Sequence, residues 1–320
     1  MVEGEKEWRG LEAYRLLLSE FRFCNSLSAY KTGNYTGEKW KFVLGENPLI
    51  AVERFVKQGM LELADPAKSL HYKFNSAQLK TLLRERGLKI SGAKDELVLR
   101  LIENDPAGIQ KISSDSDLFQ CTPSGSQMAE IYLETMRSKR MLAEKEILDR
   151  LGTGEFPKAV NLLVQYEASQ IFPRGLGVDW NNFDKDSEIE SLKVIFSRTP
   201  EILRDVEVSR LGNLRIAAGM MQLFGTNSGR QWLPKDFETG IHLKSDTACR
   251  MLLFHASHLR SMKTFLEAGI GTVRVLGSGD SCSQCREISG RKFALGDAPE
   301  LPLGKCIHEL GCRCIAQPDY

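Results

Sequence analysis

The chain has 320 residues, enough for two or three domains of ordinary size. Its 43 Lys and Arg residues nearly balance 42 Asp and Glu residues, and the net charge of +1 excludes a polycation, so nucleic-acid binding would require a local basic patch. Hydrophobic residues make up 42% and charged residues 27%, which is typical of a globular protein and excludes a wholly disordered chain.

The sequence predicts a cytoplasmic protein that does not associate with a membrane. The longest apolar stretches, such as residues 251–254, are far shorter than the roughly 20 residues needed to span a bilayer. The first ten residues include acidic side chains and lack the apolar core of a secretory signal.

The first predicted region, residues 1–72, is helical. Apolar residues recur at positions 11, 14, 17 and 18, which is the spacing of one helix face. A second helix is expected over residues 48–63, because Val52, Phe55 and Met60 fall on one side of it.

Residues 73–105 have the pattern of two short helices joined by an extended link. Ser76 and Ser91 can cap the two helices, and Gly87 stands where a left-handed residue would end the first. Seven Lys and Arg residues face only three Asp and Glu residues between Lys73 and Arg100. This segment is therefore the local basic patch that the nearly neutral chain as a whole lacks.

This segment resembles the SAP domain family, a small helix–extended–helix module that binds DNA and in some members RNA. The resemblance rests on residues in the family's order and spacing: Leu79, Lys80, Leu83, Gly87, Leu88, Ser91, Gly92, Lys94, Glu96, Leu97, Arg100 and Leu101. Ala93 stands where the family often has another Lys or Arg. The resemblance implies that nucleic acid, DNA or alternatively RNA, binds mainly at the start of the second helix.

Elementary electrostatics agrees with that implication, because exposed amides at a helix N-terminus favour a phosphate. The predicted nucleic-acid-binding residues are Lys80, Arg84, Lys89, Ser91, Gly92, Lys94 and Arg100. The alternative interpretation is a charged helical hairpin packed on residues 1–70, with lysines that only face solvent.

Residues 106–126 are rich in Ser, Asp, Pro and Gly and are predicted to be a linker. A central helical domain is expected over residues 127–268, with helices at 127–151, 156–172, 187–208, 210–224 and 246–268. A short strand is predicted at residues 272–276, which are rich in β-branched residues and bounded by glycines.

Five of the eight cysteines fall within the tail, residues 269–320, and their spacing predicts a structural Zn²⁺ site. Cys282 and Cys285 form one pair of ligands, and Cys306 and Cys312 are favoured as the second. Cys314 and His308 are the alternates for the second pair. Free buried thiols and disulfides are the other interpretations of this cluster. The remaining cysteines are expected to be ordinary core or surface residues.

The tail also resembles the C-terminal module of the phage Mu head-morphogenesis (minor head protein) family. The matching elements are Asp280, Cys282, Cys285, Gly290, Phe293, Ala298-Pro299, Leu301-Pro302 and Cys312-Arg313-Cys314. Residues 306–311 replace the His-Pro that the family usually has before its last cysteines. The resemblance implies phage structural proteins as partners.

These observations predict a mainly α, multi-domain helical protein with a SAP-like helix–extended–helix module and a small β-containing zinc knuckle at its C-terminus. The first hypothesis for its function is non-enzymatic binding of DNA. The alternatives are a phage or prophage head-assembly factor, and an enzyme such as a toxin or nuclease. No catalytic residue is predicted, because the sequence lacks the common hydrolase, metalloprotease, kinase and phosphate-loop motifs.

Overall fold

A computed structural model describes residues 12–114, 117–175 and 177–319. These residues are mainly helical, which confirms the predicted fold class. The helices are α1 (Glu12–Glu20), α2 (Tyr35–Leu44), α3 (Pro48–Lys57), α4 (Pro66–Lys73), α5 (Ser76–Glu85), α6 (Lys94–Asn104), α7 (Pro106–Ser114), α8 (Pro123–Gly152), α9 (Phe156–Ala168), α10 (Lys185–Ser197), α11 (Val208–Phe224), α12 (Ser245–Glu267) and α13 (Ser283–Ile288). None of the described helices is both long enough and apolar enough to cross a membrane.

Two small antiparallel sheets accompany the helices. The strands are β1 (Asn25–Ser26), β2 (Leu61–Leu63), β3 (Leu118–Cys121), β4 (Thr272–Leu276), β5 (Lys292–Ala294) and β6 (Ile315–Pro318). The first sheet has the order β1-β3-β2 and the second the order β5-β4-β6. Strand β4 has the bounds that its sequence predicts, and both of its neighbours come from the cysteine-rich tail.

The chain divides into two compact units, residues 1–139 and 140–320, and the division falls inside α8. The predicted linker at 106–126 differs from what the structure contains, which is α7, the central strand β3 and the start of α8. Its turn-forming residues begin a helix instead, because the Asp105 carboxylate accepts a hydrogen bond from the Gly108 amide at 2.9 Å.

The first unit has an apolar core around α1, α2 and α3. Phe21 and Tyr30 stack with ring centroids 5.2 Å apart, and Trp40 and Phe55 are fully buried. The helix expected over residues 48–63 is shorter than predicted and ends at Lys57. Gly59 then turns the chain with a φ of 66°, and the following residues form β2.

The helix–extended–helix segment is completed by one helix on each side of it. Its leucines share a core with residues of α4 and α7: Leu70, Leu79, Leu83, Leu97, Val98, Leu101 and Ile109, all fully or nearly fully buried. Gly87 has the predicted left-handed conformation, with a φ of 66°. Two short helices bury little apolar area by themselves, so α4 and α7 supply the surface that closes this core.

The two helix starts differ from the predicted caps by one or two residues. Asn75, not Ser76, caps α5, and it exchanges hydrogen bonds with Gln78 at 2.8 and 3.0 Å. Ala93, not Ser91, precedes α6, and its amide donates to the Glu96 carboxylate at 3.2 Å.

The second unit joins the central helices and the cysteine-rich tail through one hydrophobic core. That core contains residues of α9 to α12, such as Leu163 and Met251, together with Val275 of β4 and four tail cysteines. The sequence predicts a separate tail at 269–320, whereas the structure gives it no core of its own apart from these helices. Its elements of three to six residues are too short to bury such a core.

We predict that Leu97→Ala destabilises the helix–extended–helix segment by about 2–5 kcal/mol, because it empties a fully buried position in a small core. Leu99→Ala, on the same helix but 53% exposed, is the matched control and is expected to cost less than about 0.5 kcal/mol. Hydrogen exchange of the α5 and α6 amides in the full chain measures both. Equal protection in the two variants would contradict the core described above.

Candidate functional site

Three predicted nucleic-acid-binding cations are available on the surface of the helix–extended–helix segment. Lys80 and Arg84 are four residues apart on α5 and therefore share one face of that helix. Lys89 is exposed in the link that follows. Within the part of the chain that the structure describes, none of the three side chains has a hydrogen bond or an ion pair.

Lys94 has a contact inside the segment instead. Its ammonium group donates to the backbone oxygen of His71 at 2.8 Å, near the end of α4. The His71 ring lies 2.6 Å from the Asp95 carboxylate, so the first turn of α6 is fastened twice to the last turn of α4. A cation at a helix C-terminus is favourable, because the carbonyl groups there lack partners. Lys94 thus positions α6, and its predicted phosphate contact stays a prediction.

Arg100 holds the extended link in place. Its guanidinium donates to the backbone oxygens of Lys89 at 2.6 Å and of Ser91 at 3.0 Å. These contacts fix the segment that carries the exposed Lys89 side chain. Ser91 contributes its carbonyl to this arrangement and does not cap α6.

Gly92 allows the chain to pass close to α6. Its φ of 129° disfavours other residues, and a Cβ there would lie only 2.2 Å from a Glu96 carboxylate oxygen. Because Ala93 has no side-chain acceptor, no side-chain cap covers the amides in the first turn of α6. This helix start therefore keeps donors that could face an anion.

The remaining cations of the segment close helix ends. Arg86 pairs with Asp105 at 2.7 Å and also donates to the Leu82 carbonyl at 3.0 Å. The Lys73 ammonium donates to the Ile112 carbonyl at 2.9 Å, near the end of α7. Counting charges along the sequence includes these side chains in the basic patch. The Asp-Pro step at 105–106 is the one sequence signal of their structural role, since it marks a helix start.

We predict that Arg100→Met loosens the link, because two charge-assisted hydrogen bonds to its carbonyls are lost. For a loss of about 1 kcal/mol, tryptic cleavage after Lys89 should become roughly fivefold faster. Arg84→Met is the matched control, because Arg84 is an exposed arginine of the same segment without a partner among the described residues. Mass spectrometry of the first cleavage products measures the rate, and equal rates in the two variants would contradict the clamp.

Five sulfur atoms gather in the second unit. Cys282, Cys285 and Cys306 form one group within 4.8 Å, and Cys285, Cys312 and Cys314 form another. Cys285 belongs to both groups. The sulfur of Cys282 lies 3.8 Å from that of Cys306, and the sulfur of Cys285 lies 3.9 Å from that of Cys312. These separations suit thiolates around one ion and are too long for disulfides.

The short elements of the tail bring the five sulfur atoms together. Cys282 precedes α13 and Cys285 lies in its first turn, so a short helix presents both thiols. Cys312 and Cys314 lead into β6, which pairs with β4. Cys306 belongs to the loop between β5 and β6. All five cysteines lie in or against the apolar core of the unit.

Burial and hydrogen bonds within the cluster shift the pKa values of its five cysteines. Burial raises the pKa of Cys285 to about 11. Hydrogen bonds from Cys306 and Cys314 lower the pKa of Cys312 to about 2, and the same bonds, together with burial, raise the pKa values of the two donors. Burial raises the pKa of Cys282, but amides of Cys285 and Ile307 outweigh it and bring the pKa to about 7. The hydrogen bonds among these sulfurs thus favour deprotonation of Cys312 over that of Cys306 and Cys314.

His308 lies outside both groups of sulfurs. Its Nδ1 accepts a hydrogen bond from the Leu310 amide at 3.0 Å. Its Nε2 lies 3.3 Å from the Arg313 guanidinium and 3.7 Å from the Asp280 carboxylate. Both ring nitrogens thus have protein partners, and His308 belongs to neither group of sulfurs, whereas Cys314 belongs to one.

The other cysteines are separate from this cluster. Burial raises the pKa values of Cys121 and Cys249 to about 12, and each donates to a backbone carbonyl. Burial also raises the pKa of Cys24, which is half-buried. None of the three belongs to a group of possible metal ligands among the described residues, so these cysteines are ordinary constituents of the fold.

Comparison with known proteins gives one family match. The SAP domain family model matches residues 73–106, which confirms the resemblance noted from the sequence. The match covers only this short segment of the chain. It does not reach the tail, whose resemblance to the phage head-morphogenesis module stays a prediction. Neither the curated proteins nor the solved structures contain a match.

Proposed function

We propose that the chain is a non-enzymatic nucleic-acid-binding protein that contacts duplex DNA through its SAP domain. The observation that carries this proposal is that Lys80, Arg84 and Lys89 remain without partners among the described residues, whereas the domain's other cations are used to hold its helices. A duplex is a dense array of phosphates, and it is attracted by cations that keep their charge exposed.

The three cations and the start of α6 are proposed to make different contacts with the duplex. Lys80 and Arg84 offer a pair of charges along α5, and Lys89 extends the basic surface into the link. The first turn of α6 adds amides that lack a cap from the Ala93 side chain, although Asp95 and Glu96 lie in the same turn and Glu96 accepts from the Ala93 amide. Contacts of this kind go to phosphates and carry little sequence information, so binding is expected to be largely independent of sequence. A surface that neutralises few phosphates gives dissociation constants on the order of 10⁻⁴–10⁻⁶ M at physiological salt.

We predict that the triple change Lys80→Glu, Arg84→Glu and Lys89→Glu abolishes duplex binding by the full chain without unfolding it, because Arg84 and Lys89 are exposed and Lys80 is only half-buried. Each of the three changes made singly should leave measurable binding and reduce the slope of log affinity against log salt by about one. Fluorescence anisotropy with a labelled duplex at two salt concentrations measures both effects.

A control with the same change in net charge replaces three other exposed lysines, Lys57, Lys145 and Lys235, by Glu. It separates local contacts from the long-range effect of charge. If the two triple variants weaken binding equally, the SAP surface is not the binding site.

We further propose that the cysteine cluster holds one structural Zn²⁺ ion. The favoured ligands are Cys282, Cys285, Cys306 and Cys312, with Cys314 as the alternate for the last. Four thiolates in tetrahedral geometry are the usual structural zinc site, and soft sulfur ligands favour zinc over Mg²⁺ or Ca²⁺. The two close sulfur pairs, at 3.8 and 3.9 Å, support this ligand set. Such an ion would stabilise a tail whose own elements are short.

We predict about one zinc ion per chain by native mass spectrometry. Replacing Cys282 and Cys285 by Ser should remove the ion and expose the amides of β4 and β6 to hydrogen exchange, while the SAP domain keeps its protection. Cys24→Ser is the control and should keep the ion. A folded tail without metal, or one closed by two disulfides, would contradict the proposed site.

The two other hypotheses from the sequence gain no specific observation from the described residues. Phage or prophage head assembly depends on the resemblance of the tail alone, and it would require association with capsid or portal proteins. An enzymatic role would require a catalytic group whose single substitution abolishes turnover, and the sequence identifies none.

A further inference from the structure

Helix α2 presents two aromatic side chains to solvent. Tyr35 is 75% exposed and Phe42 is 89% exposed, whereas Trp40 on the opposite side is fully buried. The buried side is held close to the preceding segment, since a Cβ on Gly37 would lie 2.2 Å from the Lys31 carbonyl oxygen. The helix thus has a core-facing side that contains Trp40, and its two exposed aromatic side chains do not contribute to the core.

The two exposed rings lie on one stripe of the helix. Seven residues advance an α-helix by about two turns and about 10 Å, so Tyr35 and Phe42 stand one above the other. That spacing is too wide for the rings to contact each other and leaves room for a separate flat group on each. Two exposed rings on one helix face are too small a patch to indicate a protein interface, so the charges around them have to identify a ligand.

The charges around this stripe are mainly positive. Lys31, Lys39 and Lys41 accompany a single acid, Glu38. The Glu38 carboxylate accepts a hydrogen bond from the Gly33 amide at 3.0 Å and lies 3.8 Å from the Lys41 ammonium. Glu38 thus offsets one positive charge, and residues 31–44 keep a net charge of +2, which favours an anionic ligand.

A ligand that is both planar and anionic fits these features best. Two side chains bury far less than the roughly 800 Å² per partner that a stable protein interface requires. Single-stranded nucleic acid needs much less, because its unpaired bases stack on separate aromatic rings while nearby cations meet the phosphates. Bases inside a duplex are already stacked and cannot use the rings in this way.

We propose that Tyr35 and Phe42 form a stacking platform for two unpaired bases of a single-stranded nucleic acid, with Lys31 and Lys41 beside its phosphates. This site is distinct from the SAP surface in both position and ligand, since that surface contacts duplex phosphates. The chain would then bind two forms of nucleic acid through the same unit, residues 1–139.

The test uses the full chain and a short labelled oligothymidylate in fluorescence anisotropy. Replacing Tyr35 and Phe42 by Leu keeps the surface apolar but removes both aromatic faces. Affinity for the oligonucleotide should fall by about five- to 150-fold for each lost stack, whereas affinity for duplex DNA should stay the same. Unchanged affinity for the oligonucleotide in the double leucine variant overturns the proposal.

Control variants identify what the rings contribute. Tyr35→Phe and Phe42→Tyr keep the aromatic faces and should bind like the original chain. Val208→Ala and Leu266→Ala remove other exposed apolar side chains, 83% and 69% exposed, and should also have no effect. If these two changes weaken binding as much as the leucine variant does, stacking at α2 is not the cause.

A spectroscopic readout reports stacking directly. In Phe42→Trp, the added indole should lose fluorescence when oligothymidylate binds, and the loss should exceed that of the unsubstituted chain. An equal change in both chains overturns the proposal.

Two further outcomes distinguish a stacking platform from a dimer contact and from the SAP surface. A shift from dimer to monomer in the leucine variant, measured by light scattering, would assign the rings to contact with a second copy and overturn the proposal. If the charge-reversed SAP variant keeps its duplex affinity while the leucine variant loses oligonucleotide binding, the SAP proposal fails and this one stands.

Discussion

Burial of leucines from two helices that are too short to form a core alone is the constraint on which the SAP domain depends. Leu79 and Leu83 of α5 and Leu97 and Leu101 of α6 are fully buried only because α4 and α7 close the cluster around them. Four helices then have to end and begin within a small volume, and each end leaves backbone groups without partners. That requirement determines which polar side chains of the domain bind backbone groups at helix ends.

The assignment determines which charges are available for function. Lys73, Arg86, Lys94 and Arg100 all donate to carbonyl groups in the structure, so they complete helix ends and the link. The side chains of Lys80, Arg84 and Lys89 have no partner among the described residues, which is why we propose them as the DNA contacts. At the helix start beside Gly92, Ala93 offers no side-chain cap, and the Glu96 carboxylate accepts from the Ala93 amide. A basic patch that sequence counting treats as uniform is therefore divided into structural cations and exposed ones.

The second unit also contains elements that are too short to form a core alone, and five cysteine sulfurs gather among them. Its tail has a six-residue helix and strands of three to five residues, and it borrows its apolar core from the central helices. Five cysteines point into the same small region, with Cys285 shared between two groups. Four thiolates would satisfy the proposed zinc ion, and the fifth sulfur would then hydrogen-bond to the ligands and tune their charge. A structural ion at this point would tie the tail to the helices on which it packs.

The sequence by itself determined the features that depend on local order. The mainly helical class, the bounds of β4, the left-handed Gly87 and the SAP segment all follow from periodicity and residue type over short windows. The pairing of Cys282 with Cys285 on one short element follows in the same way, since their spacing is local. Most errors in these features are small, such as a cap placed at Ser76 instead of Asn75.

Only the tertiary structure decided the features that join distant residues. Residues 106–126 have the composition of a linker because turn formers dominate them, yet Ile109 is buried against Leu70 and β3 pairs with strands from far earlier in the chain. His308 has the residue type of a ligand, but its ring bonds within its own loop. Lys94 and Lys89 look alike in sequence, but only Lys94 comes within reach of the His71 carbonyl. A side chain's role is fixed by the unpaired group that folding places beside it, and no short window of sequence contains that information.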